Sequence, residues 1–247
     1  MAKDNEHHGR VAVITGGSGG IGTGIGRRLQ SEGVTVHVLD LSDDLPADPG
    51  TAGAIHFHSV DIGNEVQVDS AFDSIQSVSK RLDYLVCCAA IFRPQPFLEL
   101  EPENWQQTLQ TNLTGSFLCC RAALRCMRPR KFGRIVLFSS MIARTGSVKG
   151  AHYAASKGGI LGLARTVAIE AAADNIRVNT ISPGITDTPQ PRAFLSDADL
   201  TQRRSRIPLG RIGAVEDMVE ACMFLLSEQS SYLIGQDLRV NGGASLW

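Results

Sequence analysis

The sequence has no long hydrophobic run and almost no net charge. Its 247 residues include 24 Lys and Arg against 25 Asp and Glu, which gives a formal net charge of −1. No apolar stretch approaches the ~20 residues that a membrane-spanning helix needs, so we predict no membrane partner. A chain without an overall positive field has no global attraction for nucleic acid, so we also predict no nucleic-acid partner.

The cysteines lack the spacing of metal ligands. Two adjacent pairs, Cys87/Cys88 and Cys119/Cys120, lie inside apolar segments, and neither pair matches a metal-binding pattern. Neighbouring residues of a strand point to opposite faces, so a disulfide within a pair is not expected. We interpret them as buried free thiols in a reducing compartment. We therefore predict a cytoplasmic protein without a metal site.

The first residues are polar and lack the apolar core of a signal peptide. We interpret residues 1–9 as a short, frayed leader.

A strand pattern, a glycine-rich loop and a helical pattern follow in order. Residues 10–15 (RVAVIT) precede glycines in a loop at residues 16–22, and a helical pattern covers residues 23–31. This arrangement directs backbone N–H groups and a helix N-terminus at phosphate. A second strand at residues 34–39 ends at Asp40, whose carboxylate can bind ribose hydroxyls and would repel a 2′-phosphate. No Lys or Arg lies in the loop or directly after Asp40, which favours NAD over NADP.

Strand and helix patterns alternate through the rest of the chain. The predicted strands continue at residues 55–60, 82–88, 134–138, 176–181 and 238–240, and the predicted helices cover residues 64–80, 102–127, 151–173 and 215–226. Residues 42–53 are too short for a full crossover helix. The alternation predicts one α/β domain over residues 1–247, with a Rossmann-type, doubly wound parallel sheet of about seven strands and helices on both faces. Residues 188–208 are predicted to be irregular, and residues 186–210 to form a substrate lid.

Tyr153 and Lys157 stand four residues apart on a predicted helix and therefore share one face. A nearby ammonium group lowers the pKa of a tyrosine from ~10 and makes it a usable general acid and base. Ser140 follows an apolar strand and is placed to hold a substrate oxygen beside the phenol. Asn112 puts a polar amide in the middle of a long helical pattern, where it is a poor helix former.

These motifs carry a resemblance to a known family. Thr15-Gly16-x-x-x-Gly20-x-Gly22, Asn112 within TNLTG, Ser140, Tyr153-x-x-x-Lys157 and Pro183-Gly184 occur in this order. In their order and spacing the chain resembles the short-chain dehydrogenase/reductase family over nearly its whole length. It is similar to the compact members, such as 3-oxoacyl-carrier-protein reductases and secondary-alcohol dehydrogenases.

The resemblance implies a role for each motif. Tyr153 would exchange a proton with the substrate oxygen, and Ser140 would polarise that oxygen. Lys157 would lower the pKa of the tyrosine and bind the nicotinamide ribose, while Asn112 would hold a water molecule. The implied cofactor contacts are Gly16, Ser18, Gly20, Ile21, Asp40, Asp61, Ile62, Ala89, Tyr153, Lys157, Thr186 and Thr188. The resemblance also implies a homotetramer.

One segment departs from the family pattern. Where the family has Asn-Asn-Ala-Gly after the fourth strand, this chain has Cys87-Cys88-Ala89-Ala90. The missing glycine matters if the backbone there needs a positive φ, because alanine adopts that conformation poorly.

The function that these patterns predict is an NAD(H)-dependent oxidoreductase whose substrate is a small molecule and which interconverts a secondary alcohol and a ketone. The alternatives are an NADPH-dependent 3-oxoacyl-thioester reductase and a catalytically silent, cofactor-binding regulator. The substrate stays open. Either Arg93 or Arg192 could pair with a substrate carboxylate, and a surface role is equally compatible with both. We expect the pocket to be bordered by Phe92, Arg93, Ile142, His152, Pro189 and Phe194, with His152 packing rather than reacting.

Overall fold

The strands of the sheet all run parallel. The computed structural model describes residues 5–42 and 53–246, and seven strands occur in these residues. They are β1 (Val11–Thr15), β2 (Thr35–Asp40), β3 (Ile55–Ser59), β4 (Tyr84–Cys87), β5 (Gly133–Phe138), β6 (Ile176–Pro183) and β7 (Asp237–Val240). Their order across the sheet is β3-β2-β1-β4-β5-β6-β7, which confirms the predicted fold class.

Helices connect these strands and cover both faces of the sheet. In the described residues they are α1 (Gly20–Ser31), α2 (Glu65–Ser79), α3 (Pro102–Leu109), α4 (Gly115–Met127), α5 (Ile142–Thr145), α6 (Ala151–Ala171), α7 (Pro189–Arg192), α8 (Asp197–Arg204) and α9 (Val215–Leu226). None of the helices in residues 5–42 and 53–246 combines the length and the apolar character needed to cross a membrane.

The order of the strands places a crevice at the centre of the sheet. From β1 the chain moves outward to β2 and β3, and it then returns to β4 on the other side of β1. The loops after β1 and β4 therefore diverge in opposite directions at the carboxyl ends of these strands. In open parallel sheets, ligands bind at such a reversal point.

Alternate residues of the strands enter two separate core layers. Val11 and Val13 pack in the layer under α2, α4 and α6, whereas Ala12 and Ile14 pack in the layer under α1 and α9. Both faces of the central strands are covered, so every residue of β4 and β5 is buried. This explains why the strands read as continuous apolar runs rather than as alternating patterns.

The single helix predicted at residues 102–127 is interrupted. A π-helical turn, Gln110–Thr114, separates α3 from α4. The side chain of Asn112 in this turn is fully buried and bonds to the backbone of another segment. An amide that bonds outside its own helix is compatible with a locally widened turn, and such π turns are frequent at functional sites.

The helix predicted at residues 64–80 is observed as α2, and only one narrow stripe of it is buried. Val68, Phe72 and Ile75 are buried in α2, but Val66 and Val78 are exposed. The buried stripe also includes Ala71 and follows the spacing i, i+3, i+4 and i+7. Val66 lies outside this stripe, and Val78 belongs to the last turn of the helix.

The leader predicted to be frayed is docked where it is described, from residue 5 onward. The ring of His7 is buried, and its Nδ1 lies 3.0 Å from the hydroxyl oxygen of Tyr84. Asn5 donates to the carbonyl oxygen of Glu32 at 2.9 Å, and the backbone N–H of Glu228 donates to Glu6 at 2.9 Å. These contacts, which come from distant parts of the chain, hold residues 5–9 against the sheet layer.

Residues 188–208 are more regular than predicted. They contain α7 and α8, and Ser196 caps α8 by accepting from the backbone N–H of Asp199 while Asp199 accepts from the N–H of Ser196. This reciprocal capping box is a strong helix start. Most of the abbreviated crossover predicted at residues 42–53 lies outside the described residues.

Candidate active site

A cavity of about 1200 Å³ lies at the carboxyl ends of the strands. Segments that follow β1, β2, β4, β5 and β6 all contribute to its lining. The cavity brings together most of the predicted site residues: Gly16, Ser18, Gly20, Ile21, Asp40, Asp61, Ile62, Ala89, Ser140, Tyr153, Lys157, Thr186 and Thr188. Asn112 lies behind this surface, in the wall.

Tyr153 and Lys157 lie on consecutive turns of α6, as the four-residue spacing predicts. The Lys157 ammonium nitrogen is 5.6 Å from the centre of the Tyr153 ring. Ser140 follows β5, and its side chain hydrogen-bonds to Tyr153. Its Oγ also accepts from the backbone N–H of Ile142 at 3.2 Å, which fixes the serine and leaves its proton for an oxygen acceptor.

The pKa of Tyr153 is raised rather than lowered in the protein alone. Burial raises it to about 12, and the hydrogen bond with Ser140 lowers it only in part. The expected lowering by Lys157 is not observed: burial and the Ser140 hydrogen bond are the causes of the shift in the pKa of Tyr153, and desolvation, which disfavours the phenolate, is the larger. Near neutral pH the hydroxyl of Tyr153 therefore carries its proton.

Lys157 is held by the strand beneath it. Its side chain is buried, and its ammonium donates to the carbonyl oxygen of Phe138 at 2.7 Å. Burial lowers the pKa of Lys157 to about 8. The hydroxyl of Ser139 donates to the backbone carbonyl of Lys157 at 2.8 Å and anchors the same turn of α6 to β5.

Asn112 connects the π turn to the segment after β4. Its Oδ1 accepts from the N–H of Ile91 at 2.8 Å, and its Nδ2 donates to the carbonyl of Ile91 at 3.1 Å and to Ser156 at 3.1 Å. The side chain therefore clamps residue 91 against α6. The water-holding role that the resemblance implies for Asn112 stays a prediction.

His152 holds the same segment two residues further on. The ring is completely buried, and its Nε2 lies 3.0 Å from the carbonyl oxygen of Arg93. A carbonyl only accepts, so Nε2 must carry the proton. This contact supports the packing interpretation of His152 and fixes Phe92, whose ring centre is 4.8 Å from that of Tyr153.

The glycine loop, residues 16–22, is folded tightly against the segment after β4. Gly16 has φ +69°, and a side-chain carbon there would lie 2.6 Å from the backbone of Ala89. A carbon on Gly22 would lie 2.3 Å from the carbonyl oxygen of Gly16. Both positions therefore require glycine, and the resulting turn opens onto the N-terminus of α1, which is the geometry that phosphate groups need.

Asp40 faces the glycine loop across the mouth of the cavity. Its Oδ2 accepts from the backbone N–H of Ser18 at 3.1 Å and from the hydroxyl of Ser18, and its Oδ1 accepts from the N–H of Leu41 at 2.8 Å. Asp61 lines the same end of the cavity. This end fits the ribose of a dinucleotide, since it presents carboxylate acceptors next to a phosphate-sized glycine turn.

The segment that departs from the family pattern is not strained. Neither Ala89 nor Ala90 has a positive φ, so the missing glycine is not needed for a left-handed backbone. The N–H of Cys88 donates to the carbonyl of Thr15 at 3.1 Å, and that of Ala89 to the hydroxyl of Thr15 at 3.3 Å. Backbone and threonine groups thus connect the two loops directly. The cysteines in the described residues are free thiols.

Several contributors were missed by the sequence interpretation. Ser139, which adjoins the identified Ser140, anchors α6. Thr15 was named in the glycine motif without a role of its own, and it anchors the loop after β4. Arg203 of α8 lines the cavity. Arg192, which was considered as a carboxylate ligand, is instead paired with Asp187 at 2.6 and 2.9 Å.

Comparison with known proteins agrees with this geometry. A family model described as enoyl-(acyl carrier protein) reductase matches residues 16–245. The chain is 34% identical over 241 residues to 3-oxoacyl-(acyl-carrier-protein) reductase FabG of Aquifex aeolicus, covering 95% of this chain and 97% of the relative. It is 35% identical over 239 residues to cis-4-hydroxycyclohexanecarboxylate dehydrogenase of Sinomonas cyclohexanicum, covering 95% and 96%.

Solved structures show the same fold. The crystal structure of levodione reductase superposes with a TM-score of 0.90 at 26% sequence identity, covering 97% of this chain and 99% of that one. The family match spans most of the sequence, and the catalytic motifs meet in one cavity. The chain therefore belongs to the short-chain dehydrogenase/reductase family, a family of oxidoreductases that bind a nicotinamide dinucleotide.

Proposed function

We propose that the protein is an NAD(H)-dependent oxidoreductase that interconverts a secondary alcohol and a ketone. The observation that carries this proposal is the convergence of Ser140, Tyr153 and Lys157 on one cavity whose other end is the glycine loop. A proton donor and a dinucleotide-binding loop facing the same space are what carbonyl reduction requires.

Tyr153 transfers the proton in this scheme. Because its pKa is about 12, it holds a proton at neutral pH and can donate it to a carbonyl oxygen during reduction. Ser140 donates a hydrogen bond to the same oxygen and stabilises the charge that develops there. In alcohol oxidation the proton moves in the opposite direction. The nicotinamide, when bound, supplies or accepts the hydride.

The residues at the end of the cavity that would hold the adenosine ribose favour NAD over NADP. Asp40 and Asp61 line this end, and no Lys or Arg lines it among the described residues. Residues 41–53, which follow Asp40, contain no basic residue in the sequence. A 2′-phosphate would meet two carboxylates without a compensating cation, which disfavours it electrostatically. Lys157, Thr186 and Thr188 would contact the nicotinamide half.

A second candidate is an NADPH-dependent 3-oxoacyl-thioester reductase. The name of the Aquifex relative favours this substrate, whereas the name of the Sinomonas relative favours a small cyclic alcohol. Both reactions use the same proton donor, so the choice depends on the cofactor end and on the far side of the cavity.

The test measures consumption of NADH and NADPH separately with a panel of ketones and 3-oxoacyl thioesters. We expect kcat/KM with NADH to exceed that with NADPH more than about tenfold, since adjacent like charges disfavour binding by several kcal/mol. Asp40→Asn should reduce this ratio, whereas the exposed Asp73→Asn on α2 should leave it unchanged.

A preference for NADPH that persists in Asp40→Asn would contradict the NAD assignment and support the thioester reductase. Tight NADH binding without turnover of any substrate would support the regulator instead.

We also propose that the protein is a cytoplasmic homotetramer. Free cysteines are compatible with a reducing compartment. Ile169 on α6 and Phe117 on α4 are exposed, and these helices are the expected contact between subunits. Light scattering of the purified protein should give four times the mass of one chain, and a monomer would contradict the proposal.

A further inference from the structure

The charged groups that line the cavity are separated by sign. The carboxylates in the lining, Asp40 and Asp61, lie at the end formed by the glycine loop and the strands β2 and β3. The cations in the lining are Lys157, which is buried in the wall, and Arg93 and Arg203. Arg93 follows β4 and Arg203 lies on α8, and within the described residues the lining contains no further carboxylate.

Neither of these arginines forms an ion pair with another described residue. Arg93 donates to the neutral amide oxygen of Gln107 at 3.0 Å. Asp199 lies one turn before Arg203, but its carboxylate accepts from the Ser196 backbone and hydroxyl. Arg192, by contrast, is neutralised by Asp187. Two guanidinium groups at the cavity therefore keep their capacity to bind an anion.

Two aromatic rings line the cavity beside the proton donor. The ring of Phe92 lies 4.8 Å from that of Tyr153 and 5.1 Å from that of Phe194, which it meets edge to face. Phe92 immediately precedes Arg93, and Phe194 precedes α8, which carries Arg203. The backbone at residue 93 is fixed by His152.

We propose that the substrate carries a carboxylate in addition to its reacting alcohol or ketone. The reacting oxygen lies at Tyr153, an apolar ring or short chain packs against Phe92 and Phe194, and the carboxylate binds Arg93 and Arg203. A guanidinium binds a carboxylate through two parallel hydrogen bonds, which adds orientation to affinity. The inference rests on the proposed function, since it names the substrate of that same site.

The first experiment measures binding without requiring turnover. Calorimetry with cyclohexanecarboxylate and with its neutral amide, cyclohexanecarboxamide, is performed with and without NADH. We expect the carboxylate to bind at least about tenfold more tightly, because charge-assisted hydrogen bonds are stronger than those of the neutral amide. Arg93→Gln and Arg203→Gln should each weaken only the carboxylate, and the double variant should abolish the preference.

Arg130→Gln provides the matched control. Arg130 is exposed and precedes β5, at the end of the strand opposite to the cavity. The Arg130→Gln variant should leave the affinities for the carboxylate and for the amide unchanged. Equal binding of acid and amide, no binding of either, or a preference that survives the double variant would overturn the inference.

The second experiment compares turnover of 4-oxocyclohexanecarboxylate and cyclohexanone with NADH and NADPH. A KM at least about tenfold lower for the carboxylate, lost in the double variant while kcat changes little, would support the inference. Turnover of cyclohexanone with an equal KM would overturn the inference and leave the proposed function intact. Arginine-dependent binding of the acid without turnover of either ketone would support the anion site and contradict the proposed function.

Discussion

Tyr153, Lys157 and Asn112 lie on the sheet side of the cavity, whereas Arg93, Phe194 and Arg203 lie on the side that faces solvent. We call the first group the wall and the second group the rim. Asn112 and Lys157 are less than 3% exposed, and the polar atoms of both bond to backbone groups of other segments. Arg93 and Arg203 are exposed, and neither forms a salt bridge within the described residues, although the charge of Arg203 helps to lower the pKa of Asp199.

We infer from this difference that one fold can keep its chemistry while its substrate changes. Side chains that hydrogen-bond to the strands and helices of the core are held in position by the fold itself. Groups on a loop and on a short capped helix can be replaced without disturbing that core. We therefore expect substitutions in the wall to change the rate and the stability, and substitutions in the rim to change substrate affinity.

The largest effect is expected for Tyr153→Phe. Removing the hydroxyl removes the proton donor, and general acid–base catalysis contributes about 10²–10⁴-fold. We expect kcat to fall at least about 10³-fold while the Kd for NADH, measured by calorimetry, changes less than about threefold. Turnover within tenfold of the original would show that another group transfers the proton and would remove Tyr153 from the wall.

The next effect is a pH dependence of stability that arises at Lys157. Its pKa in the folded protein is about 8, below the ordinary value of 10.5, because the buried ammonium is desolvated. Between these values the unfolded chain binds more protons than the folded one, so stability rises with pH. The full shift corresponds to about 3 kcal/mol.

The measurement compares wild type with Lys157→Met by urea unfolding between pH 7 and pH 10.5. As the pH increases, the free energy of unfolding of the wild type, relative to that of the variant, should rise by most of the expected amount of about 3 kcal/mol. A constant difference, or one that falls with pH, would show that the ammonium is not desolvated in the folded protein.

The fold and the wall were largely predictable because their signals are local. A strand, a glycine turn and a helix occur within the first 31 residues, and Tyr153 and Lys157 lie on adjacent turns of one helix. The alternation of strands and helices then determined a parallel sheet, because parallel strands need crossover connections.

Most of the contacts that were missed join distant segments, and the Asp187–Arg192 pair is the local exception. Asn112 was identified as a polar residue within a helix, but its partner Ile91 is 21 residues away, and no pattern indicates that pair. Arg192 and Arg203 look equivalent in sequence, and only folding of residues 186–192 pairs the first with Asp187. The docking of residues 5–9 likewise depends on Tyr84 and Glu228, which lie far along the chain.

A smaller effect is expected for Asn112→Ala. The change leaves the N–H and the carbonyl of Ile91 without their partners, and each buried unsatisfied group destabilises by about 1–3 kcal/mol. We expect a loss of about 2 kcal/mol in the free energy of unfolding, after partial rehydration, together with reduced kcat because Phe92 is no longer held against Tyr153.

Asn104→Ala on α3 is the matched control, since within residues 5–42 and 53–246 this amide bonds only to the side chain of Gln95. It should lower the free energy of unfolding by less than about 1 kcal/mol. Equal losses for the two variants would mean that the clamp at Ile91 does not stabilise the wall.

The smallest change in stability is expected in the rim, for Phe194→Ala. The ring is 37% exposed and contributes mainly its edge-to-face contact with Phe92, so the loss should not exceed about 1.5 kcal/mol. The same ring forms part of the surface against which the substrate body packs, and KM should therefore rise several-fold while kcat stays within about twofold.

Phe224→Ala on α9 is the matched control, because Phe224 is also 37% exposed but does not line the cavity. It should cause a similar loss of stability without a change in KM. If Phe194→Ala instead lowers kcat as strongly as Asn112→Ala does, the rim positions the reacting groups, and the division between wall and rim is wrong.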